Sequence, residues 1–294
     1  MRPPLAPVWF AILVLACTDS QAPQPDPRLQ DVILFLSSRH GGQQMHLIAP
    51  TGGTIEPLYP DTNLPGSGTI YTRPAISPDG RWIAFTMLGD VWVARADGTD
   101  LRNLTDSPGE DGYPAWSPDG SRIAFQSNRD GDDDIFVINV NGTELKQLTD
   151  DPEKDALPAW TPDGARIGFT SDRTGDFEIY TVTLVGGAPT SLTRSYGWDG
   201  APAWSSDGGT IAFTSDREGF SGVYLMDADG SNVRPLVVDS TLYAYSPAWG
   251  PGDSLLAFTG AGANFDIWLV RPDGTGRINL TNDSALDGDP VWAK

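Results

Sequence analysis

At 294 residues the chain is long enough for one large repeat domain or two ordinary ones. Its 39 acidic against 19 basic side chains give a formal charge of −20, which argues against nucleic acid and anionic lipid as partners and suits cations, basic partners or plain solubility. A single cysteine, Cys17, rules out an intrachain disulfide.

From the N-terminus, Met1 to Ala16 carries one charged side chain, Arg2, and an apolar run from Val8 to Ala16. That run is too short to span a bilayer as a helix and has the length of a signal-peptide core. It ends in Val14-Leu15-Ala16-Cys17, which resembles a bacterial lipobox. The resemblance implies that residues 1–17 are a lipoprotein signal with Cys17 lipidated, and that Thr18 directs the mature chain to the outer membrane of a Gram-negative cell. An ordinarily cleaved signal, or a retained anchor, is the alternative. Residues 18–30 are polar and proline-rich and read as a flexible tether, reaching at most about 45 Å.

Residues 31–294 read as one repeat domain. Pro74, Pro114, Pro158, Pro202, Pro247 and Pro290 recur at intervals of 40 to 45 residues. A period of that size with strand-like content marks a β-propeller. Each copy opens on Pro-Ala-Trp or a near variant and turns at Ser-Pro-Asp-Gly, where proline pre-sets one torsion and glycine takes a positive φ. A second strand such as Ile123-Ala124-Phe125 follows, then a third such as Ile135-Phe136-Val137, then Asn-Gly or Asp-Gly, then a fourth ending near Leu148-Thr149. The strands are apolar on both faces, as strands covered by neighbouring blades must be. Trp116, Trp160, Trp204, Trp249 and Trp292 are read as inter-blade packing, with a sugar-binding aromatic platform as the alternative.

The ends complement each other. Residues 288–293 form a first strand without a second, and residues 32–58 supply a second, third and fourth without a first. Their union closes a six-bladed, all-β propeller of four-stranded blades and leaves no exposed sheet edge.

The pattern Pro-Ala-Trp-Ser-Pro-Asp-Gly-x-x-Ile-Ala-Phe-x-Ser-x-Arg-x-Gly, followed by Ile-Tyr or Ile-Phe, resembles the TolB-type propeller repeat, a relative of WD repeats. It stands nearly unaltered at residues 114–136 and 158–180 and slightly changed at 202–224. The resemblance implies a non-catalytic binding or scaffold propeller of the cell envelope. Its expected partner is an envelope protein similar to the peptidoglycan-associated lipoprotein that TolB binds. Only the tether precedes the propeller here, where TolB has an α/β domain. A monomer is expected, touching the membrane through its lipid anchor alone. Similar repeats precede prolyl-oligopeptidase hydrolase domains, but no such domain follows before Lys294.

Candidate chemistry gathers on the face bearing the loops into strand one and the loops between strands two and three. Three residues before each anchor proline stand Tyr71, Asp111, Asp155, Asp199, Ala244 and Asp287. The aspartates are expected at the mouth of the central channel. Asp90, Asp134, Glu178 and Asp266 begin strand three. Such carboxylates suit Ca²⁺ or the basic side chains of a partner. They also read as plain turn residues, since charges about 8 Å apart in water repel by only about 0.5 kcal/mol. Arg39, Arg129, Arg173 and Arg217 follow strand two and are read as structural clamps, with Arg129–Asp134 and Arg173–Glu178 as the expected pairs. His40 and His46 are the only histidines, too few for a metal-dependent lyase of the oligogalacturonate type.

Overall fold

The computed structural model describes residues 25–39, 41–59 and 73–293. They form six four-stranded antiparallel sheets, one per blade. Blade 1 runs from Ala75–Ile76 to Arg102–Asn103, blade 2 from Asp111–Trp116 to Lys146–Gln147, and blade 3 from Asp155–Trp160 to Thr190–Ser191. Blade 4 runs from Asp199–Trp204 to Arg234–Val237, and blade 5 from Tyr243–Trp249 to Ile278–Asn279. Blade 6 joins Asp287–Trp292 to Ile33–Ser37, Gln44–Ile48 and Glu56–Pro57. The expected closure is therefore present, with Ile33 opposite Trp292 and Ser37 opposite Asp287.

Six apolar clusters fill the six seams between blades. Leu34, Leu36 and Met45 of blade 6, for example, meet Ile83 and Phe85 of blade 1. The tryptophans do the expected work at these seams. The indole N–H of Trp160 donates to the Ala115 carbonyl of the preceding blade at 3.0 Å, and Trp116, Trp249 and Trp292 repeat the bond to Ala75, Ala203 and Ala248. Trp204 lies over Gly168, where blades 1, 2, 4 and 5 carry alanine and blade 6 carries Leu34, and a Cβ there would overlap its ring.

Strand one is longer than Pro-Ala-Trp alone suggests. In blades 2, 3, 4 and 6 it starts at the aspartate three residues earlier and carries a bulge between, as at Gly112/Ala115 and Gly200/Ala203. The residue before the proline sits in the left-handed region at Tyr113, Leu157, Ala201, Ser246 and Asp289, with φ of 49 to 55°. This conformation costs roughly 1 kcal/mol or more per residue without glycine. The freed amide is used across the seam: Ala201 and Ser246 donate to the hydroxyls of Thr170 and Thr214 on the preceding blade, and Leu157 to the Gln126 side chain.

The segment expected as a tether is docked where it is described. Leu29 is 2 % exposed within the cluster between blades 6 and 1, and Arg28 donates to the carbonyls of Leu58 and Ala96. Residues 26–30 thus belong to the folded body. Cys17, His40 and Tyr71 lie outside the described residues.

Candidate functional site

The aspartates expected around the channel mouth are buried instead. Asp111, Asp155, Asp199 and Asp287 are at most 1 % exposed. Because strand one begins at this residue, each carboxylate lies inside the sheet. There it meets the arginine that follows strand two of its own blade: Arg129–Asp111 at 2.9 Å, Arg173–Asp155 and Arg217–Asp199 at 2.8 Å, and Arg39–Asp287 at 2.7 Å. The clamp reading of the arginines holds, but the partner differs from the strand-three acid. Each guanidinium also donates through Nε to a serine hydroxyl on strand two, Ser127, Ser171, Ser215 or Ser37. Its plane covers the ring beneath, as Arg129 does over Phe125 and Phe136 at 5.4 and 4.9 Å.

This aspartate–serine–arginine latch is all or nothing. Blade 5 has Ala244, Gly260 and Gly262 at the three places, and blade 1 has Met87 and Gly89 at the last two. Both blades also replace the strand-three ring by tryptophan, Trp268 and Trp92. A Cβ on Gly260 would run into Trp268, so the indole takes space that the latch fills elsewhere. In blade 1 the Trp92 N–H donates to the Met87 carbonyl at 2.9 Å.

The strand-three acids are also internal caps. The Thr149 hydroxyl accepts from the Ile135 amide and donates to Asp134, and Gln147 donates to the other oxygen of Asp134. Asp90 and Asp266 hold Asn103 and Asn279 in the same way, which accounts for the recurring threonine at the end of strand four. Burial pushes Asp134 up to about 6 against the hydrogen bonds of Thr149 and Gln147. Burial also raises Asp155 and Glu178, each opposed by its hydrogen bonds. In the Ser-Pro-Asp-Gly turn, by contrast, the Ser117 hydroxyl and the Ser121 amide and hydroxyl hold Asp119 down at about 2.

Among the described residues no group of three or more His, Cys, Asp or Glu side chains is placed to hold a metal ion. His46 is buried on strand three of blade 6 with Nδ1 at 3.1 Å from the Gln44 carbonyl.

What the loop face offers a partner lies above the latches. Leu88, at 62 % exposure, and Tyr243, Phe265 and Leu286 project from blades 1, 5 and 6. Glu110 and Asp130 are exposed on blade 2 and Glu153 on blade 3. Between blades 1 and 2 a cavity of about 360 Å³ is lined by Leu88, Glu110, Tyr113 and Asp133. The sequence reading missed the apolar residues because each stands alone in a polar loop and belongs to no motif.

The closed ring of six four-stranded antiparallel blades defines a six-bladed β-propeller. The profile of the TolB beta propeller domain matches residues 62–193 and 158–294, and the chain belongs to that family. A "Protein TolB homolog" of Chlorobium luteolum is 29% identical over 34% of this chain and 32% of its own length. The "Tol-Pal system protein TolB" of Anaeromyxobacter dehalogenans is 36% identical over 33% of this chain and 21% of its own. The chain thus spans a third or less of these relatives. TolB from Acinetobacter baumannii superposes with a TM-score of 0.75 at 20% identity, covering 90% of this chain and 67% of that one. An oligogalacturonate lyase from Vibrio parahaemolyticus superposes at 0.61 with 14% identity, covering 87% and 76%. These two likenesses show the fold alone.

Proposed function

We propose that the chain is a non-catalytic binding or scaffold propeller of the bacterial cell envelope, tethered through lipidated Cys17 to the periplasmic side of the outer membrane and acting as a monomer. The observation that carries the reading is the loop face, which exposes Leu88, Phe265 and Leu286 on blades 1, 5 and 6 and Glu110, Asp130 and Glu153 on blades 2 and 3, with Leu88 and Glu110 lining one cavity. Exposed apolar side chains rimmed by charge mark protein-interaction surfaces. The acidic half favours a partner whose contact segment is basic as well as apolar, and long-range attraction would speed its arrival. Membership of the TolB propeller family supports an envelope protein as that partner, similar to the peptidoglycan-associated lipoprotein. Asp111, Asp155, Asp199 and Asp287 contribute as the framework under the loops, and Asp134 as a cap. Their engagement by arginine and threonine gives no support to a Ca²⁺ role.

Two measurements test the proposal. The intact chain is expected in the outer-membrane fraction, with a Cys17→Ser variant released as a soluble periplasmic protein; equal fractionation would overturn the tether. Affinity capture from detergent-solubilised envelope is expected to lose one defined protein in the Leu88→Asp/Phe265→Asp double variant and to keep it in Val185→Asp, on the opposite face. Retention by the double variant would refute the surface.

A further inference from the structure

The opposite face, formed by the Ser-Pro-Asp-Gly turns, holds a second feature that the binding role above does not use. The Pro-Ala-Trp segments of the blades converge there on the channel and wall a cavity of about 430 Å³. Pro74, Pro114, Pro158, Trp116, Trp160 and Trp249 make its lining apolar and aromatic. Along strand one, the residue before the anchor proline is Tyr113, Leu157, Ala201, Ser246 or Asp289 in five blades and Arg73 in blade 1. Of these, Arg73, Tyr113 and Leu157 line the cavity.

Arg73 is poorly paired for a cation in such a position. Its Nη2 donates to the main-chain carbonyls of Ser246 and Pro247 at 3.3 and 3.0 Å. Its Nε is buried with no hydrogen-bond partner. Among the described residues no carboxylate forms an ion pair with it within 4.0 Å, whereas Arg39, Arg129, Arg173 and Arg217 each hold one. Asp289, at the equivalent place in blade 6, accepts from the Ser246 hydroxyl at 3.0 Å instead. Burial lowers the Arg73 pKa, with Asp289 and Tyr113 opposing. A guanidinium with unused donors in a poorly solvated funnel attracts a planar anion, and its fork matches a carboxylate.

We infer that the funnel is a binding site for a carboxylate carried on an apolar or aromatic body, with Arg73 taking the carboxylate and the Pro-Ala-Trp collar taking the body. The carboxylate belongs to a free small acid or to the C-terminus of a peptide chain. Both present the same group to Arg73 and the same kind of surface to the collar.

The test titrates the full propeller, following tryptophan fluorescence and binding heat. The probes are 3-phenylpropanoate and its primary amide, and Ala-Pro-Phe with a free and with an amidated C-terminus. At least one acid is expected to bind at least about tenfold more tightly than its amide, the loss expected for one charge-assisted hydrogen bond. Arg73→Met is expected to abolish that preference and Arg73→Lys to keep part of it, with both melting curves recorded as folding controls. If Arg73→Met fails to fold, the comparison of acid with amide on the wild-type chain still decides. A tighter peptide assigns the site to a chain terminus, and a tighter small acid assigns it to a metabolite; either supports the site. Equal binding of acid and amide, binding unaffected by Arg73→Met, or no binding of any probe at millimolar concentration overturns the inference.

Discussion

Each latch arginine holds a carboxylate that has no water to fall back on. Removing one member of a buried pair leaves the other charged and unpaired, at a cost of about 3–5 kcal/mol. Arg129→Met should therefore destabilise the propeller by about that amount in urea unfolding, because Asp111 is 1 % exposed. Converting blade 2 to the blade 5 set, Asp111→Ala, Ser127→Gly, Arg129→Gly and Phe136→Trp together, should recover a substantial part of the loss. A quadruple variant less stable than Arg129→Met alone would show that the tryptophan does not replace the latch. At Asp134 the sign of the pH dependence follows from burial. Its pKa rises from 3.8 unfolded to about 6 folded, so the folded state holds the extra proton between those values. That contribution to stability is complete below the unfolded pKa and is lost as pH rises through about 6. The stability of the wild type relative to Asp134→Asn should accordingly decline from about pH 4 to about pH 7, measured as urea midpoints. A relative stability that climbs with pH would contradict the assignment.

At the scale of the strand and the seam, periodicity carries nearly everything that is legible in the chain. The anchor prolines, the Ser-Pro-Asp-Gly turns and the complementary ends place all six blades and their closure. The position of Asp111 was not legible in the same way. Strand one was expected to start at the proline, since a residue before proline, followed upstream by glycine and aspartate, looks like a loop. The left-handed bulge at Tyr113 lets the strand continue past the proline, and the aspartate becomes its first paired residue, opposite Ser127. A usable signal did exist. Aspartate, serine and arginine appear together in blades 2, 3, 4 and 6 and vanish together in blade 5. Covariation across repeats of one chain points to contact, and it points to Arg129–Asp111 rather than Arg129–Asp134. The apolar loop residues and Arg73 left no such trace, because each occurs once. The seam between blades 3 and 4 gives a further prediction. Gly168→Ala drives a methyl into Trp204, so it should cost about 1–3 kcal/mol, although alanine is the ordinary residue at this place in other blades. Thermal unfolding monitored by near-ultraviolet circular dichroism would report it, and an unchanged midpoint would show that Trp204 moves freely.

For the whole molecule, the division of labour between its regular and irregular parts is the main result. What repeats builds the ring: tryptophan bonds between blades, latches within them, threonine caps at the outer strands. What does not repeat faces solvent or the channel. Leu88 and Phe265 sit at the tips of the two blades without an arginine there, on either side of blade 6, and the acidic loops occupy blades 2 and 3. The formal charge of −20 would favour a basic segment in the proposed partner over an acidic one. Among the described residues no helix is long and apolar enough to cross a membrane. The most direct test of a contact surface on the loop face is photocrosslinking in living cells. A photoreactive phenylalanine analogue would replace Leu88, Phe265 or Val185 in turn. The account predicts one envelope protein crosslinked from both Leu88 and Phe265 and not from Val185. Crosslinks from Val185 to that same protein, with none from the other two positions, would contradict it.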